Sequence, residues 1–280
     1  MSTMVPPLYA GLVDDASLLP PSPIGLPDGV TKYDEHTASW YADLIGSLLV
    51  PASIVGAGPL PQARAGLIGD VPIANLPTTV EKLRAAGLGI EHVEAPVARR
   101  GEDPQPGLAL LREFAALQGD LRVYAEIPLS WGLLGALDTV VEARAQGLPI
   151  SPKFRVGGLA AELFPTPVEL AAVICACRDR DLPFKLAAGL RHATRHTDPE
   201  TGFTHHGFLN VLIASVVAAE GGEVAEVAEA LAATHPVPLV EPARAHRDDV
   251  RPLFDGFGAA NVVEPLTELV RLGLINGGYE

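Results

Sequence analysis

Short apolar runs alternate along this chain with stretches whose apolar residues recur every three or four positions. Such short runs predict buried strands, and the longer periodic stretches predict amphipathic helices. The predicted strands are Leu8–Val13, Ser47–Val50, Ala65–Ile68, Ile90–Ala95, Leu121–Ile127, Ile150–Val156, Pro183–Ala188 and Leu253–Gly258. The predicted helices are Thr37–Ile45, Thr78–Ala86, Pro106–Leu117, Leu133–Ala145, Pro167–Arg180, Gly207–Ala219 and Val224–Ala233.

This order of strands and helices predicts an α/β fold. Alternation implies right-handed βαβ units and a parallel sheet, and eight such units close a (β/α)8 barrel of the TIM type. An open doubly wound sheet is the alternative, but no Gly-x-Gly-x-x-Gly motif follows the first strand. We expect Leu19–Gly29, rich in proline and glycine, to be a loop over one end of the barrel. Residues Gly207 to Val250 predict an enlarged helical crossover before the last strand, and residues 1–280 a single domain.

Composition narrows the classes of protein that fit. The chain has 280 residues, of which 48% are hydrophobic and 19% charged, as in globular proteins. A net charge of -14 argues against a nucleic-acid partner. The longest apolar helix, Phe208–Ala219, is too short to cross a membrane, and Cys175 and Cys177 suit reduced packing positions. We therefore expect a cytoplasmic protein with a small-molecule substrate and no cofactor. The sequence leaves open whether the chain forms a homo-oligomer.

The most informative charged residues are two lysines in strand-like apolar runs, Lys153 and Lys185. A lysine in a buried strand is rare unless it is paired or used. If the two lie on neighbouring strands, each cation should depress the pKa of the other, which makes an amine nucleophilic. Arg155 shares the face of Lys153, so the three side chains are expected to form a cationic cluster inside the barrel mouth. The alternative is that either lysine caps a helix or extends to the rim.

Acidic residues occupy comparable places. Glu94 and Glu126 lie near the ends of their predicted strands and suit a proton relay or the orientation of a lysine. A structural ion pair with Arg155 or Lys185 is the alternative. Asp14 and Asp15 follow the first predicted strand, where they add acidity or form the turn.

A second group of residues follows the strand that carries Lys185. The segment His192–His206 contains histidines and carboxylates that suit a metal site, substrate contacts or a lid. Within this segment His192, next to Arg191, is best placed to contact a substrate, because both come directly after the strand. Trp40 and Trp131 are predicted to be packing residues.

Several short motifs resemble those of the deoxyribose-phosphate aldolase family, whose members are class I aldolases on a (β/α)8 barrel. They are Gly11-Leu-Val-Asp-Asp-Ala-Ser-Leu-Leu-Pro20, Ile90-Glu-His-Val-Glu94, Lys153-Phe-Arg-Val-Gly157, Phe184-Lys-Leu-Ala-Ala-Gly-Leu-Arg191 and Phe257-Gly-Ala259. The resemblance implies that Lys153 forms the Schiff base, Lys185 perturbs its amine and Glu94 relays protons. It also implies that Gly157, Gly189 and Gly258 border the substrate.

The motifs also depart from that family. Glu94 replaces an aspartate, Phe154, Arg155 and Val156 replace hydroxyl residues, and Ala188 replaces a glycine of the phosphate-binding turn. Arg155 can bind a carboxylate or phosphate in place of the lost contacts. Three functions follow as hypotheses: an aldolase-like lyase acting on a small carbonyl compound, a metal-dependent barrel enzyme using the His192–His206 loop, and a non-catalytic barrel.

Overall fold

The computed structural model describes residues 5–20, 23–55, 64–85, 87 and 89–277. Its strands are β1 (Val13–Asp15), β2 (Ile45–Pro51), β3 (Ala65–Ile68), β4 (Ile90–Pro96), β5 (Arg122–Glu126), β6 (Ile150–Arg155), β7 (Phe184–Ala187), β8 (His196–Thr197), β9 (Thr204–His205) and β10 (Phe254–Ala259). Its helices are α1 (Leu26–Thr37), α2 (Leu76–Ala85), α3 (Gln105–Gln118), α4 (Leu133–Ala145), α5 (Pro167–Arg178), α6 (Phe208–Ala219), α7 (Val224–Ala232), α8 (Val237–Ala245) and α9 (Val263–Arg271).

Eight parallel strands close into a barrel in the order β1-β10-β7-β6-β5-β4-β3-β2, so the (β/α)8 prediction is confirmed. Helices α6, α7 and α8 form the enlarged crossover before β10. The strands β8 and β9 pair antiparallel as a small hairpin that the sequence did not predict. No helix in the described ranges is long and apolar enough to span a bilayer.

The core lies between the outer face of the barrel and the surrounding helices. Phe184, Phe254 and Phe257 project outward, and Phe257 stacks on Phe208 of α6 with ring centroids 5.6 Å apart. Because successive strand residues alternate faces, these aromatic residues leave their neighbours pointing into the barrel. The apolar side chains of the strands are therefore buried on the outer face of the barrel, and the residues that alternate with them point into its interior.

Two predicted boundaries near the N-terminus are wrong. The first strand is β1, not Leu8–Val13, and Pro7–Tyr9 forms a short 3-10 turn. The helix predicted at Thr37–Ile45 is instead α1, which begins inside the predicted loop. Its Pro27 stands in the first turn, where the missing N–H costs nothing, so this proline starts a helix instead of marking a loop.

Candidate active site

Lys153 and Lys185 meet inside the barrel. They are paired in register on β6 and β7, so both side chains point to the same side of the sheet. Both residues are almost fully buried, at 6% and 4% exposure. Neither lysine therefore caps a helix or extends to the solvent.

Glu94 lies between the two ammonium groups. Its Oε2 is 2.6 Å from Lys153 Nζ and its Oε1 is 2.5 Å from Lys185 Nζ. Lys153 also contacts Glu126 Oε2 at 2.9 Å, and Lys185 also donates to Asp14 Oδ2. These five side chains, which we call the barrel network, alternate in charge from Asp14 to Glu126.

This alternation overturns the expected cationic cluster and its effect on the amines. Burial lowers the pKa of Lys153, but the carboxylates of Glu94 and Glu126 outweigh it, so the pKa lies above its usual value. Burial likewise lowers the pKa of Lys185, and Asp14 and Glu94 raise it further than burial lowers it. The predicted mutual depression is wrong because a carboxylate, not a second cation, is the nearest neighbour of each amine.

The same contacts set the pKa values of Glu94 and Glu126. Burial raises the pKa of Glu94, but Lys153, Lys185 and the hydrogen bond with His92 bring it well below the usual value. Burial also raises the pKa of Glu126, and Lys153 followed by Arg155 brings it down. Near neutral pH both carboxylates are therefore ionised and both lysines protonated.

A second polar layer lies against the network, and the sequence analysis missed its residues. His92 Nε2 lies 3.0 Å from Glu94 Oε1 and 3.2 Å from Lys185 Nζ. The ring of Tyr124 lies 4.9 Å from Lys185 Nζ, and its hydroxyl donates to Asp255 Oδ2 at 2.9 Å. The signal was available in the spacing, because His92 precedes Glu94 by two residues and so shares its inward face.

Two glycines make room for these polar groups. A methyl group on Gly46 would collide with Asp14 Oδ1, and one on Gly66 would collide with the ring of His92. Asp14 in turn accepts a hydrogen bond from Ser47 N at 2.7 Å, which holds it inside the barrel. Of the two alternatives for Asp14, an added acid or a turn residue, the turn is wrong, because Asp14 is a buried residue of β1.

Ligand atoms of Asp14, His92 and Glu94 lie within 4.8 Å of one another, and among the described residues this is the group that fits a metal ion. The ammonium of Lys185 contacts all three side chains and so stands where a cation would bind. The predicted metal candidates lie elsewhere. His196 and His205 stack on the β8–β9 hairpin with ring centroids 5.2 Å apart.

The predicted substrate-binding residues fall into two sets. Arg155 and Glu126 lie at the carboxyl ends of β6 and β5 and contact each other, with Arg155 Nε 3.3 Å from Glu126 Oε1. His192 and Arg191 lie outside the network; His192 Nδ1 is 2.8 Å from Glu268 Oε1 on α9, and Arg191 is exposed. His192 thus anchors its loop to a helix.

The predicted glycines come together at the same end of the barrel. A Cβ on Gly157 would lie 3.0 Å from the backbone of Gly189, so the loops after β6 and β7 touch. A Cβ on Gly258 would lie 3.0 Å from Leu49 Cδ1 inside the barrel. Ala188, which replaces a glycine of the resembling motif, keeps a left-handed backbone with φ 63.

A cavity of about 1110 Å³ opens beside the network. Segments 98–100, 126–135 and 162–165 line it together with Arg155 and one face of α5. Glu126 belongs to both the cavity wall and the network, so it connects Lys153 with the open space. Trp131 lines this cavity and is 64% exposed, so its predicted role in packing is wrong.

The energetics of the network favour a functional role. Removing five charged groups from water costs several kcal/mol for each ion, and apolar residues of similar size stabilise a core at least as well. Catalytic groups of this architecture lie at the carboxyl ends of the barrel strands, and this buried ion cluster with shifted pKa values lies there, beside a cavity.

No protein-family model matches this sequence and no curated protein matches it, so the resemblance to deoxyribose-phosphate aldolase stays a prediction from the motifs.

Proposed function

We propose that this protein is an aldolase-like lyase in which Lys153 forms a Schiff base with a carbonyl substrate. The observation that carries the proposal is the position of Lys153. Its amine contacts buried Glu94 on one side and Glu126, a residue of the cavity wall, on the other. Lys185 is held by Asp14, His92 and Glu94, which suits a positioning role.

Lys153 is protonated at rest, so it must lose a proton before it can attack. Glu94 Oε2 at 2.6 Å and Glu126 Oε2 at 2.9 Å are both close enough to accept that proton. In this proposal the neutral amine arises by transfer to a neighbouring carboxylate when the substrate binds, and not from a depressed pKa. Lys185 stays cationic beside Glu94 throughout, and a proton that moves from Lys153 to a neighbouring carboxylate leaves the net charge of the barrel network unchanged.

The chemical steps need only these groups and water. The neutral amine bonds to the carbonyl carbon and passes one of its protons to the oxygen. The carboxylic acid that took the proton of Lys153 gives it to the same oxygen, which leaves as water, and a protonated imine remains. The bond between the α and β carbons then breaks as the β-hydroxyl gives its proton to a carboxylate. The electron pair of that bond moves towards the imine nitrogen and forms an enamine. Protonation of the α carbon and hydrolysis by one water release the second product and restore the amine.

The test is reductive trapping with acetaldehyde and sodium borohydride, followed by peptide mapping. The chain has four lysines, and Lys32 and Lys82 are exposed on α1 and α2. We expect a stable adduct on Lys153 that forms faster than adducts on the exposed lysines. Lys153→Met should abolish it, and the control Lys82→Met should not.

Mapping the wild-type protein alone decides the question if Lys153→Met fails to fold. Adducts confined to Lys32 and Lys82, in the order of their exposure, would show that the network is not reactive. The barrel would then be a non-catalytic one with a buried ionic core.

A further inference from the structure

The carboxylate of Glu126 already occupies a site built for an anion beside the reactive amine. Its Oε2 lies 2.9 Å from Lys153 Nζ and its Oε1 lies 3.3 Å from Arg155 Nε. A carboxylate group therefore fits between these two cations. In a 2-oxo acid the carboxylate is one bond away from the ketone carbon, so binding of that carboxylate by Arg155 brings the ketone next to Lys153.

We propose that the substrate is a 2-oxo acid with a bulky apolar body, its carboxylate bound by Arg155 and its apolar body in the cavity beside Trp131. This inference rests on the proposed Schiff-base function for its chemistry. It goes beyond that function in naming the substrate class and the residues that select it.

Arg155 has the capacity to bind a second carboxylate. Its side chain is 48% exposed and lines the cavity. Only its Nε donates to Glu126, and within the described parts of the chain its two terminal nitrogens have no hydrogen-bond acceptor. A guanidinium pairs with a carboxylate through two parallel N–H groups, so the free edge offers a bidentate site.

The charges around the cavity favour an anion, although the whole chain is acidic. Arg99 and Arg100 also line it, and neither has a carboxylate partner within ion-pair distance among the described residues. Three acids lie on the wall: Glu126 is neutralised by Lys153 and Arg155, and Glu162 is exposed and has no ion-pair partner among the described residues. Glu169 caps α5, accepting from Thr166 N at 2.7 Å. The cations of this wall therefore remain available to a ligand.

The size and surface of the cavity call for an apolar body. Ligand sites of about 300–1,000 Å³ hold drug-sized molecules, and this cavity of about 1110 Å³ far exceeds a three-carbon acid. Trp131 and Leu134 are 64% and 56% exposed on its wall, and Phe164 also lines it. Exposed apolar side chains gathered around a concave site mark a surface that an apolar group covers.

Binding of such an acid also explains how Lys153 becomes neutral. When the free edge of Arg155 binds the substrate carboxylate, a second negative charge lies beside Glu126 and shares that cation. The pKa of Glu126 is held down by Lys153 and by Arg155, so sharing Arg155 with another anion raises it. Glu126 then accepts the proton of Lys153 more readily, so the amine becomes neutral more often with a bound acid than with a neutral carbonyl compound.

The test compares three probes by borohydride trapping. Phenylpyruvate has both the carboxylate and the ring, pyruvate lacks the ring, and phenylacetone lacks the carboxylate. We expect the half-saturating concentration of phenylpyruvate to be at least about tenfold below that of the other two, because pyruvate loses the burial of the ring and phenylacetone loses the charge-assisted contact. Arg155→Gln should raise the value for both acids and leave phenylacetone unchanged. Trp131→Ala should raise it for phenylpyruvate and phenylacetone, which carry the ring, and leave pyruvate unchanged. The control is Arg84→Gln, an exposed arginine of α2 that bonds Gln118.

Calorimetry of phenylpyruvate binding to the Lys153→Met variant separates this inference from the proposed function. If Arg155→Gln abolishes binding and the wild type forms no adduct, the ligand class is retained and the Schiff base is refuted. Adducts that form equally well with all three probes would retain the Schiff base and refute the 2-oxo acid. Absence of both binding and adducts would refute both.

Discussion

Replacing Glu94 with glutamine removes one charge from the centre of the barrel network while keeping the shape of the side chain. Glu94 contacts Lys153 at 2.6 Å and Lys185 at 2.5 Å. At an effective dielectric constant of about 20, each contact gives about 6 kcal/mol of attraction before desolvation is counted. Desolvation of buried ions costs several kcal/mol each and offsets much of this, so the loss expected on removing one partner of a buried pair is about 3–5 kcal/mol.

The assay for Glu94→Gln is equilibrium unfolding in urea, followed by both circular dichroism and tryptophan fluorescence. Coincident transitions with an unchanged slope would let the shift in midpoint be read as a change in the free energy of unfolding. The matched control is Glu142→Gln, because Glu142 is 68% exposed and 3.9 Å from Arg112. Such surface pairs contribute about 0–1 kcal/mol. A loss for Glu94→Gln no larger than that of the control would refute the argument that Glu94 holds the network together.

Four further results are expected. Gly66→Ala should destabilise the protein by about 1–3 kcal/mol in the same urea assay, because its methyl group would push His92 out of place. Ala188→Gly should raise the free energy of unfolding by about 1 kcal/mol, because the left-handed backbone at φ 63 favours glycine. The pKa of Glu94 is lower in the folded state, so its stabilising effect is complete above the unfolded value of about 4.3 and is lost as the pH falls through the folded value. Urea unfolding at decreasing pH should show that loss and Glu94→Gln should lack it. The pKa of Lys153 is raised, so uncatalysed trapping of this amine should accelerate with rising pH in the alkaline range.

The barrel itself could be predicted because its signals are local. Short apolar runs such as Ala65–Ile68 stand clearly between helical patterns, and that strand has the predicted bounds. Near the N-terminus the local signals conflicted: Pro27 resembles a loop residue but stands in the first turn of α1. The strand was drawn too early there, and a turn was consequently kept as an alternative for Asp14, which lies in the barrel interior.

The candidate site was predictable only in part, since its residues come from five strands. Alternation along β6 and β7 placed Lys153 and Lys185 on a common inner face, as observed. Which charges surround each amine depends on the register across the barrel, where Glu126 of β5 pairs with Lys153 of β6. That register cannot be read from the sequence, so the shift in the lysine pKa values was predicted with the wrong sign.

The central claim is that Lys153 is the amine that reacts, and a crystal structure of the protein after borohydride trapping tests it most directly. The account predicts a carbon–nitrogen bond from Lys153 Nζ into the cavity, with Glu94 still bound to Lys185. It would be contradicted by an adduct on Lys185, or by an unmodified Lys153 still held between Glu94 and Glu126 in protein that has taken up the label elsewhere.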